Sequence, residues 1–126
     1  MPYTDDSALP EISDEEFAAL RATARTYSLM ILKPGPEYLA ADPDSDPRVT
    51  ALIMAHGKRN AQLHRAGLMP IICPVGDGGL SGIGIFDAPP AEVERIMDAD
   101  PGVQAGVFTY EVHTCRSFPG SALPPA

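Results

Sequence analysis

The stretch from His56 to Gly82, HGKRNAQLHRAGLMPIICPVGDGGLSG, sets the frame for the rest of the chain. It reads as the second half of a helix, a turn at Gly67, a strand, a Gly-rich corner at Gly76-Asp77-Gly78-Gly79, and the start of another strand. A glycine just past a helical pattern ends the helix, and a cluster of glycine and aspartate makes a turn. Leu68 to Val75 is then a strand holding Pro70 and Pro74. Proline cannot donate to a hydrogen-bond ladder, so this strand belongs at a sheet edge. In the next strand, Leu80 to Phe86, Gly82 and Gly84 alternate with Ile83 and Ile85. One face of it is bare, and a helix, a partner chain or a ligand must pack close there.

The flanking elements follow from the same kind of punctuation. Asp46-Pro47 is a cap followed by proline at the first helical position. The helix it opens runs to about Ala66, with Val49, Leu52, Ile53, Ala55, Leu63 and Ala66 expected on its buried face. Lys58, Arg59 and Arg65 lie toward its C-terminus, where positive charge is favoured. Before it, Tyr27 to Leu32 is a nearly continuous apolar run, read as a buried strand that Lys33-Pro34-Gly35-Pro36 ends. Residues 33 to 47 form a long loop, and two readings of it stay open: a functional lid or a surface insertion. Pro89-Pro90 start another helix, capped by Asp87, with Val93, Ile96 and Met97 as its apolar stripe. Asp100-Pro101-Gly102 breaks it, with room for one loose turn before the last strand, Val107 to Arg116. Near the N-terminus, Ser13 and Glu16 have the spacing of a capping box. They predict a helix over about 14 to 23 that is too short to stand without docking on something.

Leaving that first helix aside, the order is strand, helix, strand, strand, helix, strand. This is the ferredoxin-like, split βαβ arrangement of an α+β protein, with a four-stranded antiparallel sheet and both helices on one face. The expected domain covers 26–118, between an N-terminal tail and short helix (1–25) and a C-terminal tail (119–126). The last strand alternates, and its Phe108, Tyr110 and Val112 should lie beneath the helices. Thr109, Glu111 and His113 then fall on the other face. A second copy of the sheet over that face would enclose a cavity, and a symmetric homodimer is the simplest way to supply it.

Charge narrows the function classes. A net charge of −8 argues against nucleic acid and anionic membranes, which reward clustered Lys and Arg. No apolar run approaches the roughly 20 residues of a membrane span, and the acidic N-terminus does not resemble a signal peptide. Two cysteines, Cys73 and Cys115, do not make a disulfide framework, and both are expected to be core thiols. These features favour the cytoplasm.

Several strings resemble the YCII-related family of dimeric α/β-barrel proteins over about Tyr27 to Phe118. They are His56 on its helix, Ala66-Gly67-Leu68, Gly76-Asp77-Gly78-Gly79, Leu80-Ser81-Gly82, and above all Asp98-Ala99-Asp100-Pro101-Gly102-Val103-Gln104-Ala105-Gly106-Val107 leading into a strand. The resemblance implies a homodimeric barrel acting on a small molecule. It also implies an active-site pair of a helix histidine and an aspartate after the second strand, which fall on His56 and Asp77. Known activities in the family resemble lyase or dehalogenase chemistry on ring compounds, which implies a lyase, isomerase, cyclase or dehalogenase acting by proton transfer.

Imidazole exchanges a proton near neutral pH, and a carboxylate on its other nitrogen would fix the tautomer and raise its basicity. On the residues alone, a surface histidine and an aspartate chosen for its turn is the more economical reading. The resemblance favours a shared site. Ser81 is either a ligand contact or an ordinary strand serine. Glu111 and His113 either bind polar ligand atoms or pair across the dimer. Lys33, at the end of the first strand, either steers an anion or is solvated. His56 and His64 are about 80° apart round the helix and do not share a metal site. No phosphate loop or dinucleotide fingerprint is present, so no cofactor or metal is implied. A non-catalytic metabolite-binding or accessory dimer is the alternative.

Overall fold

The computed structural model describes residues 2–41 and 46–126. The chain divides into two units, Thr26–Arg116 and a second made of Met1–Arg25 with Ser117–Ala126.

In the smaller unit, α1 (Asp14–Ala22) starts at the expected capping box. Ser13 Oγ accepts from the Glu16 amide at 3.1 Å, and Glu16 Oε1 faces the Ser13 amide at 3.5 Å. None of its residues is buried, and Phe17 and Leu20 are 50% and 41% exposed.

The larger unit is α+β. Its strands are β1 (Arg25–Pro34), β2 (Ile71–Pro74), β3 (Gly82–Phe86) and β4 (Phe108–Ser117), in the spatial order β2-β3-β1-β4. β3 pairs antiparallel with both β1 and β2. The end of β1 meets the start of β4, where Gly35 N donates to Val107 O at 2.8 Å, so that pair is antiparallel too. The architecture is compatible with the ferredoxin-like arrangement, and β2 with its proline is an edge strand as expected.

Helix α3 (Pro47–Arg65) and helix α4 (Pro90–Asp98) cover one face of the sheet. Strand alternation sends Met30, Leu32, Phe86 and Phe108 to that face, where they pack with Val49, Leu63, Val93 and Met97. Tyr110 and Val112 join them from β4, as the alternation predicted. Tyr110 also ties the last strand to α4: its hydroxyl donates to Asp98 at 2.6 Å. Burial, and then this carboxylate, push the phenol up to about 12.

The bare face of β3 turns toward the helices. A Cβ on Gly84 would lie 2.6 Å from Met69 Sδ, so the missing side chain makes room for a methionine of the same chain. Four local expectations need correction. Ala55 and Ala66 are exposed, because the stripe of α3 runs through Val49, His56 and Leu63 instead. α4 is capped at Pro89 without a side-chain hydrogen bond, so Asp87 does not cap it. Cys73 is exposed and Cys115 half-buried, both free and on strands at opposite edges, so neither is a core thiol. The loop 33 to 47 contains a short helix, α2 (Pro36–Ala40), opened by proline at its first position. The part of the lid reading that concerns residues 42–45 lies outside the described residues.

α2 is held by a close approach of two backbones. A Cβ on Gly35 would lie 2.2 Å from the Gly106 carbonyl oxygen and 3.0 Å from the Phe108 amide. Gly106 itself has φ +76°, a left-handed conformation that favours glycine. With backbone on both sides of the contact, Gly35→Ala is expected to cost about 3 kcal/mol, the upper part of the usual range for overpacking. A urea midpoint unchanged from the native chain would show that this approach is looser than described.

Candidate functional site

His56 comes from the buried stripe of α3, one helical heptad after Val49 and one before Leu63, and is only 6% exposed. Its ring stacks obliquely on Phe108, with centroids 4.6 Å apart. A buried imidazole needs partners for both nitrogens, and it has them. Nδ1 lies 2.9 and 3.0 Å from the two carboxylate oxygens of Asp100, and Nε2 lies 3.0 Å from Asn60 Nδ2. An amide nitrogen only donates. Nε2 is therefore the acceptor, and the ring proton sits on Nδ1, directed at Asp100.

Asp100 is fully buried. It is the N-cap of α5 (Pro101–Gln104), accepting from the amides of Gly102 at 2.9 Å and Val103 at 3.1 Å. Arg59 Nη1 stands 3.7 Å from its other oxygen. Burial alone would raise this carboxyl. The hydrogen bond from His56, with the two backbone amides, outweighs burial and holds it below its ordinary value. Gly102 leaves room for the arrangement, since a Cβ there would lie 2.7 Å from the Phe108 ring and 3.1 Å from Asp100 Oδ2.

A cavity of about 290 Å³ opens beside this pair, between α3 and the β2–β3 edge. His56 and Asn60 line it from the helix, Met30 and Gly82 from the sheet, with Ser81 and Phe108 at one side. A second cavity of about 260 Å³ shares Ile53, Ser81 and Phe108 with the first and extends to Tyr38, Gly76 and Gly78. Both lie on the helix-covered side, whereas the sequence placed the cavity on the opposite sheet face, under a second copy.

The sequence-derived candidates thus separate. His56 and Ser81 share the first cavity. Asp77 sits in the exposed turn, where its carboxylate accepts from the Gly79 amide at 3.0 Å. Among the described residues it makes no hydrogen bond to His56, so the carboxylate on the ring is that of Asp100, not Asp77. Lys33, Glu111 and His113 form a chain on the opposite face of the sheet. Lys33 Nζ bonds one oxygen of Glu111, and His113 Nε2 lies 2.8 Å from the other. Glu111 is lowered from its ordinary value by the Lys33 hydrogen bond first and the His113 hydrogen bond second. Both of its oxygens thus have partners within the chain.

Asp100, Asn60 and Phe108 are the residues that sequence reasoning missed. Asn60 was accessible, being four positions from His56 and so on the same helix face. Asp100 looked like a helix breaker, because Asp-Pro-Gly is the local signature of a cap and proline start. The same logic makes Asp77→Ala nearly silent. Stability should change by about 0.5 kcal/mol or less, as at other exposed positions, and the His56 ring resonances should stay where they are. A displaced His56 resonance in that variant would restore Asp77 to the site.

Among the described residues, no group of three or more His, Cys, Asp or Glu side chains is placed to hold a metal ion. Nor is any helix of those residues long and apolar enough to cross a membrane. Compared with known proteins, the sequence matches no family model and no curated protein.

Proposed function

We propose that the protein is a small-molecule enzyme of the YCII type that moves a proton, with His56 as acid/base and Asp100 as its orienter. The observation that carries this reading is the buried carboxylate fixing Nδ1–H, which leaves Nε2 as the basic nitrogen beside a cavity. That is the division of labour a general base requires. The substrate class stays as the motif resemblance implies: a cyclic or aromatic metabolite undergoing elimination, isomerisation, cyclisation or dehalogenation. The test is a screen of such compounds for solvent-deuterium incorporation or turnover, with His56→Gln protein as the blank. A compound turned over equally by both proteins would remove His56 from the mechanism.

One observation favours the alternative, a metabolite-binding module without turnover. Both ring nitrogens already have protein partners, as a purely structural histidine would. Exchange of substrate deuterium catalysed by the native chain and absent from the blank decides against it.

The working form is a homodimer in the cytoplasm. Leu29, Ile31, Ile71 and Ile85 alternate onto the sheet face away from the helices and are only half-buried. A second sheet laid on them would complete a barrel. Both cysteines are free, which suits a reducing compartment. Sedimentation velocity should report a dimer for the native chain and a monomer for Ile85→Lys. A native monomer at micromolar concentration would contradict the dimer.

A further inference from the structure

Arg59 follows His56 by three positions on α3, so the two side chains are neighbours on the helix surface and reach the same carboxylate. His56 Nδ1 and Arg59 Nη1 meet one oxygen of Asp100, Oδ1, at 2.9 and 3.7 Å. The longer distance is a charge contact rather than a hydrogen bond. Arg59 Nη1 is itself buried and has no hydrogen-bond partner among the described residues. Asp100 is the counter-charge it faces, and little water is present to screen the two.

This arrangement changes what Asp100 does to the imidazole. A carboxylate by itself favours the protonated ring. Here the negative charge is already matched by a guanidinium that stays protonated throughout the working pH range. With a neutral ring, the charges of Arg59, Asp100 and His56 cancel. A proton added at Nε2 would leave two cations about one carboxylate, where His56 and Asp100 are 6% and 0% exposed. The neighbouring titratable groups do not offset this. Asp98, at the end of α4, is engaged by the Tyr110 hydroxyl at 2.6 Å. Tyr38 stands beyond Phe108, with ring centroids 6.2 Å apart, and Cys73 lines the cavity from β2.

Resting on the acid/base reading of this site, we infer that Arg59 is a positioning residue that keeps His56 in its free-base form, so that the reaction begins with His56 taking a proton from the substrate. Asp100 then orients the ring without trapping a proton on it. In that step the substrate's C–H, N–H or O–H bond breaks and its electron pair stays on the substrate. Nε2 exchanges its hydrogen bond from Asn60 for the incoming proton, and the ring becomes an imidazolium beside Asp100. The substrate class that fits is a compound that must lose a proton before any other bond changes. A compound whose leaving group must first gain a proton does not fit, because the resting ring has none to give at Nε2.

The test is an NMR pH titration of the ¹⁵N-labelled full chain that follows the His56 ring nitrogens in the native protein, Arg59→Gln and Arg59→Lys. Removing the charge is expected to raise the midpoint of the His56 titration by about one pH unit or more, the size of a nearby charge acting on a buried group. Arg59→Lys keeps the charge and should restore at least half of that difference. A purely structural role for the guanidinium would move both variants alike. The same midpoint in the native chain and Arg59→Gln, a lower one in Arg59→Gln, or equal shifts in the two variants overturns the inference. If Arg59→Gln does not fold, the native chain decides. Coupling between two sites is mutual, so the Arg59 Nε resonance should move through the His56 midpoint, and a resonance flat across that range overturns the inference. The acid/base reading is scored separately, by turnover in His56→Gln. Unchanged turnover there with the expected midpoint shift sinks only catalysis by His56. Lost turnover with an unmoved midpoint sinks only the role of Arg59.

Discussion

Asp100→Ala is expected to destabilise the fold by about 3–5 kcal/mol, the usual cost of removing one member of a buried charged pair. The substitution strips His56 of its Nδ1 acceptor, leaves Arg59 without its counter-charge, and frees two amides at the start of α5. Loss of the cap alone accounts for about 1 kcal/mol of this. Asp100→Asn should cost less, because asparagine still caps a helix. Its amide nitrogen would stand beside Nδ1, while the oxygen kept by the two α5 amides, 3.0 Å from Nδ1, can still accept the ring proton. Urea denaturation separates the two variants. A loss under 1 kcal/mol for Asp100→Ala would mean the pair is not buried as described.

The same carboxyl sets an acid limit. Its native value lies below its ordinary one, so the native state binds this proton less tightly than the unfolded chain. The stability it contributes is fully present above the unfolded carboxylate value of about 3.9 and is lost as pH falls through the lower native value. Asp100→Asn should flatten the acid limb of the stability curve in that window, while leaving the neutral region offset by a constant amount.

His56→Gln is expected to reduce turnover of a found substrate by about 10²-fold or more, the ordinary contribution of a positioned acid/base group. Glutamine can still hydrogen-bond Asp100 and pack beside Phe108, so the fold should survive and the loss should fall on the rate. It cannot take up a proton near neutral pH, which is why it separates the acid/base role from the packing role. A variant with native kcat would leave His56 as a structural group and favour the binding-module reading.

Much of the fold was legible because local signals punctuate it. Ser13 with Glu16, Asp46 with Pro47, and Gly67 mark helix ends whose chemistry is complete within four residues. Pro74 put β2 at an edge, and the alternation of β4 assigned Phe108, Tyr110 and Val112 to the core. α2 was missed because Gly35-Pro36 ends one element and starts another, and the same dipeptide signals both. His56 was legible as a site residue, but its partner was not. Asp100 lies 44 positions away, and only the packing of α5 against α3 brings it to the ring. Asp77 had the turn composition of a candidate with none of that packing behind it. The filled face of β3 was likewise hidden, since nothing local shows that Met69 reaches over Gly84.

The central claim is that Asp100 fixes the His56 ring with its proton on Nδ1 and Nε2 turned toward Asn60 and the cavity. Long-range ¹H–¹⁵N correlation of the histidine side chains tests it directly. His56 is expected as the Nδ1–H tautomer in the native chain and in Asp77→Ala, with its Nδ1 resonance displaced in Asp100→Ala, where that nitrogen loses its acceptor. A native His56 in the Nε2–H form, or an Nδ1 resonance unmoved by Asp100→Ala, would contradict it.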